Sequence, residues 1–305
     1  MKYNTYTLDN GLRIIHLPSD SKVVYCGYQI NAGTRNEEPG EEGLAHFCEH
    51  VTFKGTERRK AWHILNCLES VGGDLNAYTN KEGTVYYSAI LKEHIARAVD
   101  LLTDIVFHSV YPQAEIDKEV EVICDEIESY NDSPAELIYD EFENIIFKGS
   151  PLGHNILGTA EQVRSFKTED ALRFTRKLYR PDNAIFFAYG DIDFKKLVRL
   201  LQRALADDES VVNLAEEKLP QISQITQIAW NENSIAEEKS VSSVKSVGPK
   251  NYPSVGDGIA GQTIVMQKNT HQAHVMIGTR AYDVNDSRRM PLYLLNNMLG
   301  GPGMN

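Results

Sequence analysis

The chain contains the pentapeptide His46-Phe47-Cys48-Glu49-His50, which reads H-x-x-E-H. On a helix, positions i and i+4 lie one turn apart on the same face, so both imidazoles can face one metal ion. Glu49 precedes His50 directly, and its carboxylate can reach the same side without binding the metal. The motif therefore predicts a helix with His46 and His50 as zinc ligands and Glu49 as general base for zinc-bound water.

The order of these residues is informative, because the commoner zinc-peptidase helix reads H-E-x-x-H and the reversed order is typical of inverzincins. Two neighbouring histidines also occur on ordinary helices, so the interpretation depends on a third ligand. Residues 114–130 have a helical period, and Glu119 and Glu126 are two turns apart on one face. Either could complete an open His2Glu site with one position left for water. Spacing alone does not choose between them.

Four cysteines are scattered without C-x-x-C pairing, which favours reduced thiols over a disulfide framework. Cys48 lies inside the motif and Cys124 two residues before Glu126, so a sulfur ligand is an alternative. On a helix both are offset from the predicted ligands by about 200°. We expect both to be small buried residues.

Three separated segments, residues 43–56, 72–87 and 118–127, closely resemble the pitrilysin/insulinase family of zinc metallopeptidases, and in particular the branch containing the mitochondrial processing peptidase. The likeness continues through residues 179–193 and 272–305. The resemblance implies one Zn²⁺ per chain. It also implies Glu126 as third ligand, since the family's ligand lies about 75 residues beyond the second histidine.

Under the same resemblance Glu119 matches a glutamate that supports the catalytic site without binding the metal. Asn76 and Ala77 match the family's substrate-binding pair, in a segment, DLNAYT, that we expect to be an exposed edge strand. Such a strand binds a peptide by main-chain hydrogen bonds, and Asn76 would orient the scissile peptide. From spacing alone, Asn76 could equally be an ordinary turn residue.

Short strands near the start, followed by strands and long helices in alternation, predict an α+β fold with a mainly antiparallel sheet covered by helices. The predicted strands are 3–8, 12–17, 23–31, 84–91 and 184–190, with 222–230 as a further candidate. The first two flank Asp9-Asn10-Gly11, which predicts a hairpin. The predicted helices outside the motif are 62–71, 94–107, 114–130, 136–147 and 168–178.

The chain divides into three predicted parts. Residues 1–206 form a zinc-binding peptidase domain, 207–261 a Ser-, Lys- and Gly-rich linker, and 262–305 the beginning of a second, related domain. We interpret the sequence as truncated in that second domain. In family members the remainder of the second domain contains an arginine and a tyrosine that position the substrate. The resemblance therefore implies either a longer protein, or a homodimer or heterodimer whose other subunit supplies these two residues.

A net charge of −12 and a pI near 5.3 disfavour a nucleic-acid partner. The sequence has no apolar run of bilayer length and no signal-peptide pattern, so we expect no membrane partner and a cytoplasmic location. The predicted function is hydrolysis of peptides or small unfolded polypeptides by a zinc endopeptidase. The alternatives are a non-catalytic subunit that binds peptide or a second chain, and a structural zinc site, although structural sites are usually closed by four ligands.

Overall fold

A computed structural model describes residues 3–206, 263–267, 272–279, 281–282 and 285–300. Six strands form one sheet: β1 (Asn4–Thr7), β2 (Arg13–Pro18), β3 (Val23–Ile30), β4 (Asp74–Thr79), β5 (Thr84–Leu91) and β6 (Ala184–Gly190). The helices are α1 (Leu44–Thr52), α2 (Ala61–Glu69), α3 (Ile95–Phe107), α4 (Gln113–Asn131), α5 (Pro134–Ile146), α6 (Ala160–Ser165), α7 (Thr168–Leu178), α8 (Phe194–Ala206) and α9 (Arg289–Gly300).

The strand order in the sheet is β1-β2-β6-β3-β5-β4. Every neighbouring pair is antiparallel except β2 and β6, which run parallel. The predicted hairpin is confirmed: β1 pairs with β2, and Gly11 in the connecting turn has a φ of +87°. The mainly antiparallel α+β fold is likewise confirmed. The late strand β6 lies between two early ones, so β2 and β3 are not neighbours.

Helices cover one face of the sheet. The side chains of β3 that point to this face are fully buried, and α3 packs against β3 and β5. The Tyr28 hydroxyl shares a 2.8 Å hydrogen bond with Thr103 of α3 inside this core. On the opposite face Tyr25 and Tyr189 remain largely exposed. The helix α1 packs against β4, α4 and α7, which places it over the edge of the sheet.

Most predicted elements are present, with four differences. The helix predicted to begin at residue 136 begins at Pro134, because proline fits the first helical turn, where its missing N–H is not needed. Three helices, α6, α8 and α9, were not predicted. The signal for α8 was available, since Leu197, Leu201 and Leu205 recur with helical period and are buried.

The candidate strand 222–230 lies outside the described residues, and the domain boundaries stay a prediction. All four cysteines are free, and Cys48 and Cys124 are buried as expected. Within the described parts of the chain, no helix has the length and apolar character needed to cross a membrane.

Candidate metal centre

The site is built on α1, whose start is fixed by contacts from elsewhere in the chain. Gly43 precedes the helix with a φ of +97°, and a Cβ there would lie 2.7 Å from the Leu157 carbonyl oxygen. The helix has no side-chain cap of its own. Instead the buried Glu37 carboxylate accepts hydrogen bonds from the backbone N–H groups of Ala45, at 2.7 Å, and Gly43, at 3.2 Å. These contacts hold the first turn, which contains His46.

The two histidines of α1 meet Glu126 of α4. Glu126 Oε2 lies 3.2 Å from His50 Nε2 and 3.7 Å from His46 Nε2. One potential ligand atom from each of the three residues lies within 4.8 Å of the others, and within the described ranges no other group of histidine, cysteine or acidic residues does so. Glu126 is 46% exposed, so the cluster opens to solvent on one side.

Glu119 lies on the far side of the His50 ring from Glu126. Its Oε1 is 3.0 Å from His50 Nδ1, and its Oε2 forms an ion pair with Lys54 at 2.5 Å. Burial raises the pKa of Glu119, but its hydrogen bonds with His50 and Lys54 outweigh that effect and lower it. Glu119 therefore orients the ring of His50 without sharing the space between the histidines and Glu126.

The charge states suit a cation at this position. Burial, and then the neighbouring His50, lowers the pKa of His46 to about 4, so its imidazole is neutral and free to bind a metal. Burial lowers the pKa of His50, but hydrogen bonds to Glu119 and Glu126 dominate and raise it to about 9. The two carboxylates therefore favour positive charge beside His50.

Two imidazole nitrogens and one carboxylate oxygen form the donor set of open zinc sites. The residues present therefore fit a zinc ion.

Glu49 lies beside the cluster, half-buried, at the contact of α1 with β4. The hydroxyl of Thr79 donates a 2.6 Å hydrogen bond to Glu49 Oε2. Burial raises the pKa of Glu49, an effect that the hydrogen bond from Thr79 partly offsets. Sequence reasoning did not identify Thr79. The only available signal was the alternation of β4, which places Thr79 and Ala77 on the same face.

Asn76 and Ala77 lie on β4, which is the edge strand of the sheet as predicted. Ala77 is partly buried and packs against the core, whereas Asn76 is exposed. Asn76 Oδ1 accepts a 2.8 Å hydrogen bond from the backbone N–H of Ala77. The structure thus places the backbone of this segment beside α1, but it does not bring the Asn76 side chain into the histidine cluster.

The sequence profile described as "Insulinase (Peptidase family M16)" matches residues 14–160, and "Peptidase M16 inactive domain" matches residues 165–304. These matches agree with the sheet and with the cluster of His46, His50 and Glu126. The chain belongs to the insulinase (M16) family of peptidases. The histidines and glutamates of the candidate centre all lie in the first matched segment.

The relatives are consistent with this membership. The chain is 31% identical over 298 residues to an uncharacterized zinc protease of Bacillus subtilis, covering 97% of this chain and 63% of that protein. It is 37% identical over 201 residues to the mitochondrial-processing peptidase subunit beta of Saccharomyces cerevisiae, covering 65% of this chain and 43% of that one.

Among solved structures, a protease from Helicobacter pylori superposes with a TM-score of 0.67 at 26% identity, covering 72% of this chain and 53% of that one. The chain spans about half the length of the curated relatives it matches.

Proposed function

We propose that this chain is a zinc-dependent endopeptidase in which His46, His50 and Glu126 bind the metal and Glu49 is the general base. One observation carries the proposal. Donor atoms from two helices that are far apart in the sequence, α1 and α4, lie within 4.8 Å of one another, and Glu49 directly precedes the ligand His50 in the chain. The family membership and the zinc proteases among the relatives support a peptidase.

Bound zinc supplies a Lewis acid and lowers the pKa of a coordinated water from 15.7 to about 7. The protein's own part begins with Glu49, which accepts a proton from the attacking water and passes it to the leaving amine. Its raised pKa suits this exchange, because burial makes the carboxylate a stronger base than in water. Glu119 keeps the His50 ring in place throughout, since it binds the nitrogen that does not face Glu126.

The proposed substrates are peptides or small unfolded polypeptides. The edge strand β4 has no neighbouring strand on one side among the described residues, and α1 packs against it. An extended peptide can add there by main-chain hydrogen bonds, with Asn76 and Ala77 in its path. Segments that are already paired inside a folded protein are not free to add in this way.

One relative is a subunit of a processing peptidase. We therefore propose that a further domain or a second subunit, in a homodimer or heterodimer, supplies a substrate-positioning arginine and tyrosine. Membrane and nucleic-acid partners are not part of the proposal, and the cytoplasmic location stays a prediction.

A second candidate function is a non-catalytic subunit that binds peptide or a second chain. It is favoured by one observation, the match of residues 165–304 to an inactive-domain profile. The candidate centre lies outside that segment, and its ligands and general base are all present. Bound zinc together with peptide cleavage would exclude this second function.

The decisive experiment compares wild type with Glu49→Gln for zinc content and for cleavage of a quenched peptide library. We expect zinc in both proteins and cleavage only in wild type, because glutamine keeps the shape of the side chain but cannot accept the proton. Cleavage that survives in the variant would contradict the role of Glu49. Zinc in both proteins with cleavage in neither would leave the metal site standing and would indicate either the non-catalytic function or the need for the further domain or subunit.

The ligands are tested separately by His50→Ala and Glu126→Ala. Each removes one of three donors, so metal content measured after gel filtration should fall to background. Stoichiometric zinc in either variant would show that the site lies elsewhere.

A further inference from the structure

We propose that Thr79, on the edge strand β4, is a positioning residue that fixes the carboxylate of Glu49 for proton transfer. This inference rests on the proposed function and adds a residue to it. Thr79 lies on the strand proposed to bind substrate, yet its hydroxyl contacts the helix that carries the base. The separation in sequence between Thr79 and Glu49 is 30 residues.

The hydrogen bond has a defined direction. The Thr79 hydroxyl has one proton, and its 2.6 Å contact with Glu49 Oε2 is shorter than its 3.4 Å contact with Thr84 Oγ1. Thr84 in turn donates to the Ala32 carbonyl at 2.8 Å, so its proton does not compete for Glu49. Thr79 therefore donates its hydrogen bond to Glu49, and Thr84 contacts Thr79 without bonding to Glu49.

This bond assigns different tasks to the two oxygens of Glu49. Oε2 accepts the hydrogen bond from the Thr79 hydroxyl, which leaves Oε1 to take the proton of the reacting water. Without the hydroxyl, rotation about the last side-chain bond would exchange the two oxygens, and the carboxylate would no longer have a fixed direction. General-base catalysis depends on such geometry, and a displacement of about 1 Å can cost about 100-fold in rate.

The same contact links substrate binding to the base. Ala77 and Thr79 share the inward face of β4, and β4 packs against α1. A peptide that adds to the outer edge of β4 takes its register from that strand, and Thr79 ties the base to the same strand. The base is thereby held at a set distance from the peptide bond. Loss of the hydroxyl should lower kcat and leave KM largely unchanged.

The test compares Thr79→Val, which has the same shape without the hydroxyl, with Thr79→Ser, which keeps it. Thr84→Val is the matched control, because Thr84 is the cross-strand partner of Thr79 and its hydroxyl bonds elsewhere. We expect kcat of Thr79→Val to fall by about tenfold or more, with KM within twofold and zinc content unchanged. Thr79→Ser should recover most of the rate. Thr84→Val should lower the melting temperature and leave kcat within twofold.

A kcat of Thr79→Val within twofold of wild type, or an equal loss in Thr79→Ser, would overturn the proposal. So would an equal loss in Thr84→Val, since that result would reflect general damage to the strand pair.

A second readout does not depend on activity. Crystal structures of metal-free wild type, Thr79→Val and Thr79→Ser should show the Glu49 carboxylate in one position in wild type and serine variant, and reoriented or in several conformers in the valine variant. An unchanged carboxylate in Thr79→Val would overturn the proposal even if wild type cleaves no peptide. A reoriented carboxylate in a protein without cleavage would keep the role of Thr79 and count against the proposed function alone.

Discussion

At the residue scale, His50 uses both of its ring nitrogens. Nε2 lies 3.2 Å from Glu126 and Nδ1 lies 3.0 Å from Glu119, so the ring cannot rotate without losing one of the two contacts. Glu119 is itself held by Lys54 and is only 12% exposed. A carboxylate behind a ligating histidine fixes the ring and raises its basicity. Metal affinity at this site should therefore depend on residues that do not bind the metal.

Glu119→Gln should weaken zinc binding by about 10- to 100-fold, because the amide loses the charge that orients His50 and leaves Lys54 without its partner. The measurement is a competition titration with a zinc chelator. Glu121→Gln on the same helix is the matched control, since Glu121 is exposed and, within the described residues, its one ion pair is with Arg164 at 3.3 Å. Equal affinities of Glu119→Gln and wild type would contradict the role of Glu119.

At the element scale, α1 depends on contacts from outside the helix. Its first amides donate to Glu37, whose carboxylate is 1% exposed and also lies 2.8 Å from His154 Nε2. Burial raises the pKa of Glu37, and the hydrogen bonds from His154 and the two amides oppose that effect. Glu37 thus acts as a remote cap and joins the start of α1 to the loop that contains His154.

Glu37→Ala should reduce the free energy of unfolding by about 2 kcal/mol, because two helix amides and His154 lose their acceptor. Zinc affinity should fall as well, since His46 lies in the first turn of α1. Urea unfolding and chelator competition measure the two effects. Glu38→Ala serves as control: Glu38 is exposed, and its ion pair with Lys177 at 3.3 Å, the one it forms in the described part of the chain, contributes little stability. Equal stability of the two variants would refute the capping role.

At the scale of the whole molecule, one sheet face and its helices form a continuous core. This part of the molecule contains a buried ion pair between Arg59 and Asp104 of α3, and the Asp104 side chain is 0% exposed. Its Oδ2 accepts hydrogen bonds from Thr56, at 2.9 Å, and from the guanidinium of Arg59. The pair ties the loop after α1 to the helix that lies on the sheet. A buried carboxylate that loses its partner is strongly destabilising.

Arg59→Met should lower the free energy of unfolding by about 3 kcal/mol, because the buried Asp104 would keep only the bond from Thr56. Arg58→Met is the control at the adjacent position and should lower the free energy of unfolding by less than about 1 kcal/mol. The ion pair between Arg58 and Asp100, at 3.3 Å, is exposed to solvent. Urea denaturation followed by circular dichroism measures both values. A similar loss in the two variants would show that burial of Asp104 is not the cause.

Local patterns account for what was predicted well. The i, i+4 spacing of His46 and His50, the apolar period of α4 and the turn at Gly11 depend on a few neighbouring residues, so they are visible in the sequence. The α+β class follows from the order of such segments. The helix α8 was missed although its leucine period is equally local.

The sequence by itself determined the motif helix, the hairpin, the edge strand and the residue types available to bind zinc, because these depend on periodicity and side-chain chemistry. Spacing left Glu119 and Glu126 as alternatives, and the family resemblance implied Glu126. The tertiary structure shows that Glu126 is the one that faces both histidines, since the two glutamates share one helix face and differ in what packs against them. It also decided that Thr79 reaches Glu49 and that β6 lies between β2 and β3. These contacts join residues far apart in the chain, and their geometry arises only when the core packs.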